Sequence, residues 1–174
     1  MTNLSIPVNA NDHLQGDPDA PCILVEYGDY QCPSCGAAYP IVKRVQKHFG
    51  ERLAFVFRNF PLTQLHRFAE AAAETAEFAG AHGKFWQMHD LLYENQDRLE
   101  EQLLVELAQQ VHLASAALIR ALESKEFQPR VKADFSSGVR SGVNGTPTFF
   151  INGQRLDGPN GFSALVAAID NVLE

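Results

Sequence analysis

The chain has 174 residues, of which 45% are hydrophobic and 20% are charged, as expected for one globular domain or for one domain with a large insertion. Its 14 Lys and Arg residues against 21 Asp and Glu residues give a formal net charge of -7, which argues against a nucleic-acid-binding protein. No run approaches the roughly 18 consecutive apolar residues of a membrane-spanning helix, so we expect no membrane insertion.

The first predicted elements are a strand and a helix that follow a polar arm. Residues 1–21 are polar and rich in turn-forming residues, and they are predicted to form an N-terminal arm. Residues 22–27 are mostly apolar, which is typical of a strand buried on both faces. Apolar side chains then recur every three or four positions from Pro33 onwards, which predicts a helix with Cys32 as its N-cap.

The next segment combines a second strand with a long helical block. Residues 53–57 form another apolar run, so the chain predicts a parallel strand–helix–strand unit. Residues 62–142 contain no strand-like run and show about five helical patterns. Their acidic residues Glu70, Glu74 and Glu77 are predicted to form a solvated helix face.

The C-terminal part returns to the strand pattern. Residues 148–151 and 154–156 flank Asn152-Gly153, which is the strongest short-range signal for a β-hairpin. Apolar residues at helical spacing over residues 162–173 predict a closing helix.

The three cysteines, Cys22, Cys32 and Cys35, are too few for a structural disulfide framework. At a helix N-cap the Cys32 sulfur faces unpaired N–H groups, which favour a thiolate and make Cys32 the predicted nucleophile. Cys35 lies one turn further on the same side and is the predicted resolving thiol. Cys22 is expected at the far end of its strand, outside the chemistry.

A metal site is the rival interpretation of the Cys-x-x-Cys spacing. A structural zinc site needs four ligands, and the sequence has no second cysteine pair and no closely spaced histidine pair. His82 and His89 are predicted to lie on helix surfaces. We therefore expect no metal and no other cofactor.

Two segments together resemble the DsbA family of thiol-disulfide oxidoreductases: Gly28-Asp-Tyr-Gln-Cys32-Pro-Ser-Cys35, and Gly145-Thr-Pro-Thr-Phe-Phe-Ile-Asn-Gly153. The resemblance implies an α/β thioredoxin fold, in which helices flank a central mixed sheet and an all-helical subdomain is inserted. On this basis residues 1–61 and 143–174 form the thioredoxin-like domain, and residues 62–142 form the inserted helical domain.

The resemblance also implies the reaction and its partners. Cys32 and Cys35 would exchange disulfides with protein or peptide thiols through a mixed disulfide, and a redox partner protein or glutathione would regenerate the pair. The Thr146–Pro147 bond would be cis and would place the Thr146 backbone beside Cys32 to bind substrate.

Glu26 matches the buried acid that the family holds near its second cysteine. A carboxyl group in an apolar strand has a raised pKa and can relay the proton that Cys35 must lose. The alternative is an acid paired with a base such as Arg58, and the sequence leaves both interpretations open.

The dipeptide Pro33-Ser34 departs from the Pro-His of the oxidising family members. Serine supplies a hydrogen bond without positive charge, so we expect weaker thiolate stabilisation and a less oxidising couple. A glutathione-dependent isomerase or transferase of the same fold, and a non-catalytic redox-sensing or binding module, are the alternative functions.

The first residues of the chain carry the prediction of where the protein is located. The N-terminus has neither a basic segment nor a long apolar one, so a cytoplasmic protein is expected. The alternative is a periplasmic or extracellular mature form with an engineered start.

Overall fold

A five-stranded mixed sheet forms the centre of the computed structural model, which describes residues 2–174. The strands are β1 (His13–Gln15), β2 (Cys22–Gly28), β3 (Leu53–Asn59), β4 (Thr148–Ile151) and β5 (Gln154–Arg155), in the spatial order β1-β3-β2-β4-β5. Strands β2 and β3 are parallel, and the other neighbouring pairs are antiparallel. The predicted thioredoxin-like mixed sheet is confirmed.

Seven α-helices complete the described chain. They are α1 (Pro33–Phe49), α2 (Ala69–Ala81), α3 (Phe85–Glu94), α4 (Glu101–Gln110), α5 (Ser115–Ser124), α6 (Gln128–Arg140) and α7 (Phe162–Leu173). Short 3-10 helices lie at Gly50–Arg52 and Gln96–Arg98. No helix in residues 2–174 combines the length and the apolar character needed to cross a membrane.

Both faces of the sheet are covered, which explains the continuous apolar runs of β2 and β3. Side chains alternate between the faces of a strand, so Leu24 and Val25 of β2 enter different hydrophobic clusters. Leu24 joins the larger cluster with residues of α1 and α7, whereas Val25 joins a smaller one against which Phe135 of α6 packs.

The N-terminal arm is more ordered than predicted. Residues His13–Gln15 form strand β1, which pairs with β3. Asp12, just before it, accepts two hydrogen bonds from the Arg58 guanidinium, at 2.8 and 2.9 Å. The prediction of a simple arm over residues 1–21 is therefore wrong, because this segment contributes a strand and a buried ion pair to the sheet edge.

The predicted hairpin is present between β4 and β5. Asn152 and Gly153 both adopt positive φ angles, of 46° and 85°, as a two-residue hairpin turn requires. The Asn152 side-chain oxygen accepts a hydrogen bond from the Ile23 N–H at 2.8 Å. This contact ties the turn to the start of β2.

The helical block between β3 and β4 differs from its prediction in three side chains. Glu74 and Glu77 of α2 are buried, and so is His89 of α3. Glu77 lies 3.0 Å from the His13 ring nitrogen and accepts a hydrogen bond from Asn59 at 2.8 Å. The prediction of a solvated face was wrong for these glutamates, since other elements pack around α2. The boundaries of a separate helical domain stay a prediction.

Candidate active site

The two cysteines lie where β2 passes into α1. Cys32 is the N-cap of α1 in an extended conformation, and Pro33 occupies the first helical position, as predicted. The Cys32 side chain retains 6% exposure, whereas Cys35 is fully buried. Both cysteines are free thiols. Both cysteines are therefore buried, and of the two only Cys32 retains some exposure.

The loop before Cys32 is held by the carboxylate of Asp29. Its oxygens accept hydrogen bonds from the Gln31 N–H at 2.7 Å and from the Leu62 N–H at 2.9 Å. The His66 ring Nδ1 lies 2.8 Å from the same carboxylate. Asp29 is buried and was not singled out in the sequence, because an aspartate in a turn has no distinctive pattern.

The two thiols of the pair differ strongly in pKa. A hydrogen bond from the Cys35 thiol, with contributions from Thr146 and from the backbone N–H groups of Cys35 and Ser34, lowers the pKa of Cys32 to about 5. Burial raises the pKa of Cys35 well above its usual range, and its bond to Cys32 and the nearby Glu26 charge raise it further. Cys32 is therefore a thiolate at neutral pH, while Cys35 holds its proton.

The loop before β4 closes the site from the other side. The Thr146–Pro147 peptide bond is cis, as the resemblance implies, and the Thr146 carbonyl oxygen lies 3.6 Å from the Cys32 sulfur. The Thr148 hydroxyl donates a hydrogen bond to the Gly145 carbonyl at 2.7 Å. Backbone of this loop therefore lies directly beside the Cys32 sulfur.

Glu26 is buried in β2, with 2% of its surface exposed, and its Oε2 has no hydrogen-bond partner in residues 2–174. Burial, and then the negative charge of Cys32, raise its pKa to about 8. The alternative of an ion pair with Arg58 is excluded, because the guanidinium binds Asp12 and the Tyr27 hydroxyl. Glu26 is thus a carboxyl group that can hold or release a proton near neutral pH.

Two side chains of the helical block reach the active-site loop. The Gln96 amide nitrogen donates hydrogen bonds to the carbonyls of Tyr30 at 2.9 Å and Cys32 at 2.8 Å. The Tyr30 hydroxyl lies 2.9 Å from Nδ1 of His89, and burial keeps the pKa of His89 well below its usual value. Sequence reasoning missed Gln96 and placed His89 on the surface.

Replacing Gln96 by Ala should lower the free energy of unfolding by about 2 kcal/mol, since two neutral hydrogen bonds of about 1 kcal/mol each are lost. Urea unfolding measures this change. The matched control is Gln110→Ala, an exposed glutamine of α4, and it should change the stability by less than about 0.5 kcal/mol. Equal effects of the two substitutions would contradict the role assigned to Gln96.

Cys22 lies at the opposite end of β2 from the active site. It pairs in register with Leu53, whereas Gly28 at the other end of β2 pairs with Asn59. Its side chain is fully buried, and burial raises the pKa of its thiol to about 11. These properties fit the predicted inert role and disfavour an intermolecular disulfide.

No group of three or more His, Cys, Asp or Glu side chains within residues 2–174 is arranged to hold a metal ion. The site therefore consists of two thiols, one buried carboxyl group and the backbone of two loops. Such a set can exchange thiols and disulfides and can move one proton.

Comparison with known sequences gives a family and several relatives. The profile of a family described as thioredoxin matches residues 8–171. The Na(+)/H(+) antiporter NhaA 3 of Salinispora tropica is 39% identical over 170 residues, and the match spans 97% of this chain and 26% of that protein. The Na(+)/H(+) antiporter NhaA 1 of Mycobacterium sp. (strain KMS) is 41% identical over 162 residues. The chain thus spans about a quarter of the length of the curated relatives it matches.

Solved structures match the chain over almost its full length. BdbD from Bacillus subtilis, in its oxidised form, superposes with a TM-score of 0.88 at 25% identity and covers 99% of this chain and 98% of its own. A thioredoxin-like oxidoreductase from Silicibacter pomeroyi gives 0.80 at 25% identity, with coverage of 95% and 94%. The alpha-DsbA1 of Wolbachia pipientis gives 0.84 at 20% identity over 99% and 96%, a likeness of fold alone.

Proposed function

Because the chain belongs to the thioredoxin family and has the architecture of the DsbA-type structures, we propose that it is a thiol-disulfide oxidoreductase with Cys32 and Cys35 as its redox pair. Its substrates are protein or peptide thiols and disulfides. The observation that carries the proposal is the position of Cys32, which is the N-cap of α1, has the Thr146 carbonyl oxygen 3.6 Å from its sulfur, and is followed one turn later by the free, buried Cys35. The sodium and proton exchange named for the curated relatives concerns much longer proteins and is not part of the proposal.

In the reducing direction the exchange proceeds in two steps. The Cys32 thiolate attacks one sulfur of a substrate disulfide, so that a mixed disulfide forms and the other substrate sulfur leaves as a thiolate. Cys35 then loses its proton and attacks the Cys32 sulfur, which releases the second substrate thiolate and leaves a Cys32–Cys35 disulfide. Two electrons pass to the substrate, and the reverse sequence oxidises a substrate dithiol.

Three groups assist these steps. We assign Glu26 as the acceptor of the Cys35 proton, and its pKa of about 8, which allows both protonation states near neutral pH, supports this role. The Thr146 backbone lies beside Cys32, where it can pair with an extended substrate segment as an added strand would. Pro33 and Ser34, both exposed, set the surface that faces the partner.

The two alternative functions have less support. A glutathione-dependent isomerase or transferase of this fold uses one nucleophile, whereas this chain has a second free thiol, Cys35, in the first turn of α1. A non-catalytic module has no need for a lowered thiol pKa.

Titration of the Cys32 thiolate tests the proposal. In a Cys22→Ala background, the ultraviolet thiolate absorbance should rise with a midpoint near pH 5, and the rate of alkylation by iodoacetamide should follow the same curve. The Cys32→Ala variant should lose this transition. A Cys32 midpoint at the ordinary value near 9 would contradict an activated nucleophile and favour the non-catalytic module.

A further inference from the structure

A cavity of about 860 Å³ opens on the helical block, between α2, α4 and α5, away from the two cysteines. Its apolar part is formed by Phe68, Ala71, Val105 and Leu122, which are partly buried. The cavity lining also carries two cationic side chains, Arg67 and Lys125. It carries five carboxylates: Glu70, Glu74, Glu100, Glu101 and Glu123. The cavity therefore combines apolar walls with an excess of negative charge.

Glu74 is the member of this cavity that the fold does not explain. It has 2% of its surface exposed, and its Oε1 has no hydrogen-bond partner within residues 2–174. A carboxylate buried without donors is costly, because its lost hydration is not replaced. The side chain lies in the middle of α2, where the helix dipole offers it no compensation.

Two of the neighbouring acids, Glu101 and Glu70, have stabilising interactions within the fold. Glu101 lies in the first turn of α4, where the helix dipole stabilises a negative charge. Glu70 accepts a hydrogen bond from the Gln128 amide at 2.8 Å. The Oε1 of Glu74 has no such partner within residues 2–174. Lys125 on the cavity wall acts on this carboxyl group through its charge but donates no hydrogen bond to Oε1, so this oxygen points to a donor from outside the chain.

The cavity is connected to the active site through one backbone contact. The Phe68 N–H donates a hydrogen bond to the Gln31 side-chain oxygen at 2.7 Å. Gln31 directly precedes Cys32, and Phe68 belongs to the cavity wall. The wall of the cavity therefore adjoins the residue that precedes Cys32.

We propose that the cavity binds a lysine or arginine side chain of a substrate segment in which apolar residues flank the cation, with the cation donating to Glu74. The aliphatic stem of the cation would lie along Phe68 and Val105, and the surrounding carboxylates would attract the segment. An ammonium or guanidinium group is favoured over a metal ion as the bound cation, because the described chain holds no cluster of three metal-ligating side chains. This inference rests on the proposed function only in assigning the bound segment to a substrate.

The test uses short, cysteine-free peptides that carry a neutral fluorescent label, and it measures their binding by fluorescence anisotropy. A peptide of alternating leucine and lysine should bind, whereas peptides that alternate leucine with glutamate or serine with lysine should not. The Glu74→Gln variant should bind the leucine–lysine peptide about tenfold more weakly, as expected for a charge-assisted hydrogen bond.

Two further variants test whether peptide binding depends on the cavity. The control Glu51→Gln removes one exposed carboxylate outside the cavity and should change the affinity by less than about twofold. Ile119→Lys places a cation on the cavity wall at a residue that is 42% exposed, so the variant should fold and should also weaken binding. Equal losses in Glu74→Gln and Glu51→Gln, or unchanged binding in Ile119→Lys, would overturn the proposal.

The same peptides separate this inference from the proposed function. They contain no thiol, so their binding reports on the cavity alone, whereas exchange of the unchanged protein with oxidised glutathione reports on Cys32 and Cys35. Exchange without selective binding of the leucine–lysine peptide would overturn the cavity assignment and leave the oxidoreductase intact. Selective binding without exchange would support the cavity and contradict the oxidoreductase.

Discussion

Replacing Cys35 by Ser should produce a protein that attacks disulfides but cannot complete the exchange. Cys32 keeps its N-cap position, so the first attack proceeds and the mixed disulfide accumulates. The hydroxyl of Ser cannot displace the substrate thiolate, and turnover of a disulfide substrate should fall on the order of 10³-fold or more, the scale found when one member of a catalytic unit is removed. Non-reducing electrophoresis and mass spectrometry detect the adduct.

Two variants define the attacking sulfur. Cys32→Ser should lose both the adduct and the turnover, because the remaining Cys35 is fully buried and keeps its proton. Cys22→Ala should retain both, since Cys22 lies at the other end of β2. Adducts formed by Cys32→Ser in amounts similar to those of Cys35→Ser would show that the roles assigned to the two cysteines are reversed.

Replacing Glu26 by Gln should slow the second step of the exchange by about 10²-fold, the lower end of the range for a general base. Glu26 acts as a base only when it is ionised, so the rate of this step in the unchanged protein should rise with pH. Once Cys32 is in a mixed disulfide its negative charge is gone, and the midpoint should lie below the pKa of about 8 that Glu26 has beside the thiolate. Rapid-quench measurement of the two steps gives both rates.

The stability of the same variant tests the raised pKa of Glu26 itself, because Glu26→Gln removes the group that titrates. A carboxyl group whose pKa is raised from 4.5 to about 8 on folding makes the unfolded state release its proton first, so stability falls as pH rises between these values. Glu26→Gln should remove this fall and gain about 3 kcal/mol at pH 7 relative to pH 4, from 1.36 kcal/mol per pH unit.

Urea unfolding at a series of pH values measures this difference. The Glu51→Gln variant, which alters an exposed carboxylate, should follow the pH dependence of the unchanged protein. An identical pH dependence of stability in Glu26→Gln and the unchanged protein would show that Glu26 is not the group described here.

Elements with local signals were predictable from the sequence. Pro33 and Cys32 mark the start of α1, and Asn152-Gly153 marks the hairpin, because each depends on the conformations that those residues themselves prefer. Strand β1 has only three residues and is defined by its pairing with β3, so a local pattern could not reveal it.

The residues of the candidate active site divide in the same way, into those with a local sequence signal and those without one. Cys32 and Cys35 could be assigned from their spacing and from the helix start, and Thr146 from the resemblance. Gln96 could not, since an amide in a polar segment has no pattern that predicts which backbone it will meet. Glu74 and Glu77 have the spacing of a solvated face, but the burial of α2 depends on elements that are distant in the sequence.

The contact between Gln96 and the first turn of α1 links two positions that are far apart along the chain. A methyl group at Gly36 would overlap the side-chain oxygen of Gln96, so the amide at position 96 keeps this place only with glycine at position 36. Among homologues of this fold, the two positions should therefore covary, with larger residues at one accompanied by shorter ones at the other. A chimera in which the helical segment of this chain replaces that of a homologue with a larger residue at position 36 would need glycine at that position as well.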